Sequence, residues 1–245
     1  MKKRSYLTIC LTIALMYFLQ AQPQFILTGK VEYEKKVNMH KKMGNSSWAD
    51  EMKGKYPQFR TTYFDLLFND KESLYKAGRE VEDKYRAMWG ESLLDDIIYN
   101  NYDSIKTITQ KQVFEKTYLL QDSLMNIEWK ITNETRTIAG FNCRKAVGRF
   151  MDTIYAVAFY TDEIIVPAGP EVYTGLPGLI LGVALPRLNT TWFATKLELK
   201  ESGSKDFAIP AKGKKINRKE MFKTIISATK DWGEEASKQF LEAVL

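Results

Sequence analysis

Residues 61–68 read Thr-Thr-Tyr-Phe-Asp-Leu-Leu-Phe, and apolar and polar side chains alternate along most of this stretch. Residues 193–200, Phe-Ala-Thr-Lys-Leu-Glu-Leu-Lys, alternate in the same way, as do residues 127–132, Ile-Glu-Trp-Lys-Ile-Thr. A period of two is typical of a β-strand with one buried face. We therefore predict a mainly β protein of the α+β class.

Further strand candidates follow one another at short intervals, separated by polar turns. This spacing favours an antiparallel meander. No repeated strand–helix–strand spacing occurs, so a parallel doubly wound sheet is not expected. The additional candidates are residues 25–37, 72–77, 97–102, 104–109, 111–120, 141–150 and 153–161.

A few helices are expected to pack on this sheet. Ser47 with Asp50 three residues later is typical of a helix start, after which Trp48 and Met52 would share a face. Residues 80–94 are ambiguous, because their aromatic and apolar residues could also line a helix.

The C-terminal segment predicts a clearer helix. Asn217 and Glu220 resemble a capping box. A stripe at helical spacing follows, and Gly233 is a possible break. The predicted stripe consists of Phe222, Ile225, Ile226 and Thr229.

The first 21 residues have the layout of a secretory signal peptide. A positive start at residues 2–4 precedes an apolar run of about 13 residues, Leu7–Leu19, and Ala21 offers a small residue at the cleavage point. Removing three positive charges lowers the formal net charge from +6 to +3. We expect export, one domain over residues 22–245, and no transmembrane segment after cleavage.

The charge pattern of the mature chain does not favour nucleic acid as a partner. Its positive and negative side chains are interleaved, whereas nucleic-acid-binding proteins concentrate positive charge on one face. The densest basic stretch, residues 212–219, is more typical of a solvated linker. Residues 202–217 are the best candidate for a flexible connection, so that residues 202–245 would comprise a linker and the C-terminal helix.

Cys143 is the only cysteine left after the predicted cleavage. An intramolecular disulfide is then impossible, and a chain of this length has to rely on a hydrophobic core. A lone cysteine within a strand pattern is usually a small buried apolar residue. We expect that role for Cys143.

The most distinctive stretch is residues 167–180, PAGPEVYTGLPGLI. Leu176–Leu179 has the composition of a type II turn, in which proline sets φ at the second position and glycine accepts a positive φ at the third. The chain then continues into the apolar run 179–185, which predicts a strand covered on both faces. The motif and possible binding loop consists of Tyr173, Gly175, Leu176, Pro177, Gly178, Leu179 and Ile180.

Within this stretch, the hexapeptide Gly175–Ile180 resembles the signature of the GLPGLI family. Members of this family are exported proteins of Bacteroidetes without an established activity. The resemblance extends to residues 29–34, 127–131, 138–146 and 158–161, which stand in the family's order, and it covers about residues 29–200. It supplies no catalytic residues.

The middle of the chain also resembles lipoprotein-carrier-like periplasmic domains. Those proteins have a half-open, strongly curved antiparallel sheet that can hold an acyl chain. The resemblance implies the same architecture here. A shared fold does not establish a shared function.

No familiar catalytic constellation is found in the sequence. With one histidine, His40, and one mature cysteine, zinc sites built on several histidines are excluded. Met39, His40 and Met43 could serve as soft copper ligands, although Met39 and His40 would diverge on a strand and two lysines lie between His40 and Met43. Paired carboxylates such as Asp95-Asp96 leave acid–base chemistry open.

These observations favour an exported, non-catalytic protein that is periplasmic, associated with the outer membrane, or secreted. We expect it to bind a hydrophobic ligand, a peptide or an envelope protein without a cofactor. A copper-handling accessory protein and a hydrolase acting on an envelope polymer are the alternatives.

Overall fold

The computed structural model describes residues 27–82, 84, 96–150, 154–200 and 204–233. These residues form one sheet of twelve strands. The strands are β1 (Gly29–Asn38), β2 (Phe59–Phe68), β3 (Glu72–Ala77), β4 (Ile97–Asn101), β5 (Lys106–Val113), β6 (Lys116–Ser123), β7 (Glu128–Ile138), β8 (Phe141–Phe150), β9 (Ile154–Thr161), β10 (Leu179–Leu185), β11 (Thr190–Leu199) and β12 (Lys214–Ile216).

Three α-helices accompany the sheet in the described ranges: α1 (Met39–Met43), α2 (Ser47–Lys55) and α3 (Arg218–Thr229). The strand order is β12-β6-β5-β4-β3-β2-β1-β11-β10-β9-β8-β7. All neighbours are antiparallel except β12 and β6. The sheet does not close into a barrel. The prediction of a mainly β protein with an antiparallel sheet and a C-terminal helical segment is confirmed.

The sheet is strongly curled at its β7 end. The Arg136 guanidinium of β7 lies 4.7 Å from the centre of the Phe193 ring of β11. Three strands separate β7 from β11 in the sheet order. In a flat sheet, strands four steps apart would be about 19 Å apart. The curl therefore brings distant strands within side-chain reach.

Two predicted strands have different boundaries. The turn between β5 and β6 lies at Phe114-Glu115, whereas the predicted strands 104–109 and 111–120 would turn near residue 110. Phe114 adopts a positive φ of 55° at this turn. Glycine or asparagine is usual at such a position, so the sequence carries no ordinary turn signal there.

The predicted start of a helix at Ser47 is confirmed, since α2 begins at this residue, and its capping residue lies one position earlier. The helix is capped by Ser46, whose hydroxyl accepts a hydrogen bond from the Ala49 amide at 3.2 Å. Ala49 is the buried residue of this helix, and Trp48 is 58% exposed. The predicted shared face of Trp48 and Met52 is therefore not the buried face of the helix. The buried face is the one that carries Ala49.

The capping box of α3 is confirmed. Asn217 Oδ1 accepts from the Glu220 amide at 2.9 Å, and Glu220 Oε2 accepts from the Asn217 amide at 3.0 Å. The buried stripe differs from the predicted one. It consists of Met221, Ile225 and Thr229, at a spacing of four, and Ile226 is 54% exposed.

The segment predicted as a flexible connection contributes to the sheet and to the core. Lys214–Ile216 pairs with β6. Phe207 is buried against Leu67, Leu74 and Tyr99. The predicted signal peptide lies outside the described residues, as does nearly all of the ambiguous stretch 80–94. No helix in the described ranges is both long and apolar enough to cross a membrane.

The main core lies on one face of the sheet, which we call the core face. It carries large side chains from many strands, and the connection 162–178 between β9 and β10, which we call the crossing loop, packs against them. The largest of these buried side chains include Tyr33, Phe64, Leu66, Tyr75 and Tyr160.

Cys143 is fully buried, which confirms its expected role as a core residue. Burial raises the pKa of the Cys143 thiol to about 11. Thiolate is the reactive form, and only about a thousandth of the thiol is ionised at pH 8. We expect Ellman's reagent to leave the folded mature chain, residues 22–245, unmodified at pH 8 over an hour and to modify it within minutes in guanidinium. Rapid reaction of the folded chain would contradict the burial of this thiol.

Candidate ligand-binding site

The apolar part of the core face is covered by the protein's own crossing loop. Ile164, Val166, Ala168 and Leu176 of this loop are at most 2% exposed. The Tyr33 hydroxyl donates to the Ile180 carbonyl, just beyond the loop, at 2.5 Å. A hydrophobic ligand would have to displace this loop to reach the same surface.

The predicted type II turn at 176–179 is wrong. Gly178 does not adopt a positive φ, whereas Gly175, three residues earlier, has a φ of 90°. Glycine is required at 178 for a different reason: a Cβ there would lie 2.0 Å from the Thr161 carbonyl oxygen. The backbone of the loop is pressed directly onto the end of β9, and only glycine allows this approach.

A tryptophan of β7 is hydrogen-bonded to the crossing loop. The Trp129 indole N–H donates to the Thr174 carbonyl at 2.9 Å. Gly148 of β8 leaves the space for this ring, since a Cβ at 148 would lie 2.6 Å from it. Leu176 and Ile180 are buried, and Pro177 is exposed. Most of the motif therefore holds the loop in the core.

Beside the crossing loop, the core face carries charged side chains. Lys35 of β1 and Glu171 of the loop form an ion pair with Nζ and Oε1 2.7 Å apart. The Trp192 indole N–H donates to the same carboxylate oxygen at 3.2 Å. The side chains of Lys35 and Glu171 are 19% and 24% exposed, so the pair is partly accessible to solvent.

Aromatic rings surround this ion pair. Lys35 Nζ lies 4.8 Å from the centre of the Trp192 ring and 5.6 Å from that of Phe64. Phe64 stacks on Tyr75 with ring centres 5.0 Å apart, and Tyr173 lies 5.8 Å from Trp192. Rings in contact with an ammonium group stabilise its positive charge. They also offer flat apolar surfaces next to charged hydrogen-bonding groups.

A second ion pair lies on the same face. Asp96, just before β4, accepts from Lys111 of β5 with Oδ2 and Nζ 2.7 Å apart. Their side chains are 14% and 11% exposed. Asp96 Oδ1 is buried without a hydrogen-bond partner in the part of the chain that the structure describes. Buried polar atoms are normally paired, so this exception suggests a site for a ligand.

The charged groups of the two ion pairs influence one another's protonation. Burial raises the pKa of Asp96, Lys111 opposes this shift, and the negative charge of Glu171 adds to it. Burial also raises the pKa of Tyr75 well above its ordinary value; the charges of Glu171 and Asp96 add to the rise, and a hydrogen bond with the Trp192 indole opposes it. Lys35, Tyr75, Asp96, Lys111 and Glu171 therefore form one unit, which we call the polar cluster.

Glu171 is held in a strained backbone conformation. Its φ is 51°, in the left-handed region that residues other than glycine, asparagine and aspartate rarely adopt. Such strain persists when the surroundings determine the geometry, and it is often found at ligand sites. Here Lys35 and Trp192 fix the carboxylate of Glu171. This strain singles out Glu171 among the acidic residues of the loop.

The copper candidates lie elsewhere. Met39, His40 and Met43 form part of helix α1 and not of a strand, so Met39 and Met43 share a helix face at a spacing of four. His40 Nε2 lies 2.9 Å from the Tyr56 carbonyl oxygen. No cluster of three or more His, Cys, Asp or Glu residues suited to a metal ion occurs in the described ranges. The copper interpretation stays a prediction.

Sequence reasoning did not find the polar cluster. Lys35 follows Val31 and Tyr33 at a spacing of two. The sequence could therefore have predicted that this lysine lies on the buried face of β1. Glu171 stood in the stretch that we singled out, but its role as a partner of β1 depends on how the loop crosses the sheet. Neighbours from β1, β3, β4, β5 and the loop meet only through the tertiary fold.

Comparisons with known proteins agree with an unassigned function. A family model described as a protein of unknown function (Porph_ging) matches residues 149–182, which run from the end of β8 through the crossing loop into β10. This match fits a protein of Bacteroidetes type, and the GLPGLI name itself stays a prediction. No curated protein matches the chain.

The chain is similar in fold to several solved structures. Two structures of PNGF-II are 15% identical to it, with TM-scores of 0.51 and 0.52, and the alignments cover 78% of this chain and 31% and 32% of theirs. The chain thus spans about a third of those proteins. An uncharacterized conserved protein from Thermus thermophilus is 4% identical, with a TM-score of 0.41 and coverages of 78% and 91%. The similarity to the PNGF-II structures concerns the fold alone.

Proposed function

We propose that this chain is an exported, non-catalytic binding protein that holds a neutral, hydroxyl-rich ligand, a saccharide, at the polar cluster. The observation that carries the proposal is the buried Asp96 Oδ1, which has no hydrogen-bond partner among the described residues, on the face that also carries the partly accessible Lys35–Glu171 ion pair. This ligand class replaces the hydrophobic ligand expected from the sequence, because the crossing loop covers the apolar surface.

The balance of charge supports a neutral ligand. The polar cluster contains two lysines, Lys35 and Lys111, and two carboxylates, Glu171 and Asp96, paired one to one. The formal charges of these four side chains cancel. A hydroxyl group both donates and accepts, and can therefore serve a carboxylate and an ammonium group at once.

The aromatic surroundings support a ligand with apolar faces. Trp192 and Phe64 flank Lys35, and Tyr75 stacks on Phe64. Sugar rings combine hydroxyl groups at the rim with C–H groups on the faces, which matches rings beside charged groups. Ligand sites in proteins commonly combine apolar walls with a few placed polar groups.

A glycan array probed with the mature chain tests this proposal, and titration calorimetry with the neutral glycans that bind measures their affinity. We expect Glu171→Gln to weaken binding about tenfold or more, because a charge-assisted hydrogen bond is lost. Trp192→Phe should also weaken binding, because it removes the N–H group that donates to Glu171. The substitution keeps an aromatic ring at this position. Glu134→Gln, an exposed residue paired with Lys145, is the matched control and should leave affinity unchanged.

Two results would overturn the saccharide proposal. One is an array without a bound neutral glycan. The other is equal affinity of the wild-type chain and a folded Glu171→Gln variant for every glycan that binds. Melting temperatures of all variants separate loss of binding from loss of structure.

A hydrolase acting on an envelope polymer is the second candidate. The observation in its favour is the raised pKa of Asp96, a property typical of a general acid, on a face that also carries Glu171. Prolonged incubation with the glycans that bind, followed by product analysis, decides between the candidates. Hydrolysis by the wild-type chain that Asp96→Asn abolishes would establish the enzyme and end the non-catalytic proposal.

Export belongs to the same proposal. Its support is the positive start at residues 2–4 followed by the apolar run Leu7–Leu19. A place in the periplasm or on the outer membrane would bring the chain into contact with envelope saccharides. Mass spectrometry of the N-terminus from fractionated cells tests it: a full-length N-terminus recovered only from the cytoplasm would contradict export.

A further inference from the structure

A cavity lies where β1 and β10 end and where β2 and β11 begin. We call it the strand-end groove. Its volume is about 390 Å³. Lys36, Thr191 and Ala184 lie on one row across three neighbouring strands, because Lys36 pairs with Thr191 and Thr191 with Ala184. Helix α1 contributes Lys41 to the lining.

The charged side chains that line the strand-end groove are all positive. Lys36 and Lys41 are its charged residues, and no acidic side chain lines it in the described ranges. Lys36 also contacts Glu34 on its own strand, with Nζ and Oε1 2.7 Å apart. Lys41 has no ion pair with any described residue. The groove therefore keeps a net positive charge next to the hydroxyl groups of Thr190 and Thr191.

One wall of the strand-end groove is aromatic. Phe59, the first residue of β2, lines it and is 48% exposed. Asn38 lines it too; its side-chain oxygen accepts from the Lys41 amide at 3.0 Å, which leaves its side-chain N–H groups as donors. An exposed ring, two ammonium groups, the Thr191 hydroxyl and the side-chain N–H groups of Asn38 are thus grouped around one cavity, whereas the Thr190 hydroxyl donates to the Leu188 carbonyl at 2.9 Å.

We propose that the strand-end groove binds an organic anion that carries a phosphate or carboxylate group on a flat apolar body. The ammonium groups of Lys36 and Lys41 would hold the anion, and the Phe59 ring would contact the apolar body. Lysine binds phosphate as a point charge, and charged hydrogen bonds are stronger than neutral ones. The proposal is independent of the saccharide site, which involves other residues.

Calorimetric titration with benzyl phosphate tests the proposal. Benzyl alcohol, which lacks the anion, and inorganic phosphate, which lacks the ring, are the control ligands, and benzoate tests the carboxylate. We expect saturable binding of benzyl phosphate, no binding of benzyl alcohol, and weaker binding of inorganic phosphate. The double variant Lys36→Gln/Lys41→Gln should lose about tenfold or more in affinity. Phe59→Ala should weaken the binding of benzyl phosphate and leave the affinity for inorganic phosphate unchanged.

The matched control replaces two exposed lysines at the β12 edge of the sheet, Lys116→Gln/Lys214→Gln, and should bind benzyl phosphate as the wild-type chain does. Equal affinity of the wild-type chain and Lys36→Gln/Lys41→Gln would overturn the site. Benzyl alcohol binding as tightly as benzyl phosphate would also overturn it. Either result would leave the saccharide proposal untouched.

Discussion

Replacing Gly178 by alanine is expected to destabilise the fold by about 3 kcal/mol. The new Cβ would lie 2.0 Å from the Thr161 carbonyl oxygen and 2.9 Å from its carbon, and both atoms belong to the backbone. Backbone cannot rotate away as a side chain does. The crossing loop must therefore lift from β9 and expose part of the core.

Thermal unfolding followed by circular dichroism measures this loss. For a chain of this size we expect the melting temperature to fall by about 6–12 °C. Gly54→Ala in helix α2 is the matched control, because a Cβ at 54 meets nothing within 4 Å and alanine favours the helix. A Gly178→Ala variant that melts with the wild-type chain would show that the loop does not press on β9.

The second large effect is expected at the buried ion pair of the polar cluster. Replacing Lys111 by methionine keeps much of the apolar stem and leaves Asp96 without its partner. Both side chains are less than 15% exposed, so solvent screens the remaining charge poorly. Removing one partner of a buried pair costs about 3 kcal/mol at pH 7, because the other charge stays buried.

The loss at Lys111 should depend on pH in a defined direction. Burial already raises the pKa of Asp96 above its ordinary value of 3.8, and Lys111 opposes this rise. In Lys111→Met the pKa rises further, so the folded state binds the proton more tightly than the unfolded state. The stability of the variant should increase as the pH falls through the folded-state pKa of Asp96 and level off below 3.8.

Urea unfolding at about pH 7 and about pH 4, on either side of the expected transition, measures this dependence. The double variant Lys111→Met/Asp96→Asn removes both charges and should recover most of the stability at neutral pH. A loss in Lys111→Met that is the same at both pH values, and that Asp96→Asn does not relieve, would contradict a buried pair.

The sequence contained most of the fold in the form of local patterns. The alternation of residues 61–68 predicted β2, and the capping residues Asn217 and Glu220 predicted the start of α3. Both signals depend only on neighbours along the chain. The start of β6 was missed, because the turn before it is made by Phe114 with a positive φ. Phenylalanine is not a residue type that indicates such a turn.

The crossing loop could be recognised from the sequence, but its role could not. The glycine and proline of the motif indicated a turn at Gly178, whereas the structure uses this glycine for contact with Thr161. Lys35 and Glu171 are far apart in the sequence, and the ion pair between them depends on the course of the loop. A site assembled across distant elements leaves no local pattern.

The most direct measurement of the central claim is a nitrogen–proton correlation spectrum of the mature chain, labelled with ¹⁵N, during titration with a neutral glycan that binds. The indole N–H of Trp192 donates to Glu171 of the polar cluster, and that of Trp129 donates to the Thr174 carbonyl of the crossing loop. Our interpretation requires a saturable shift of the Trp192 signal, with little change at Trp129. A glycan that binds while the Trp192 signal stays fixed would contradict it.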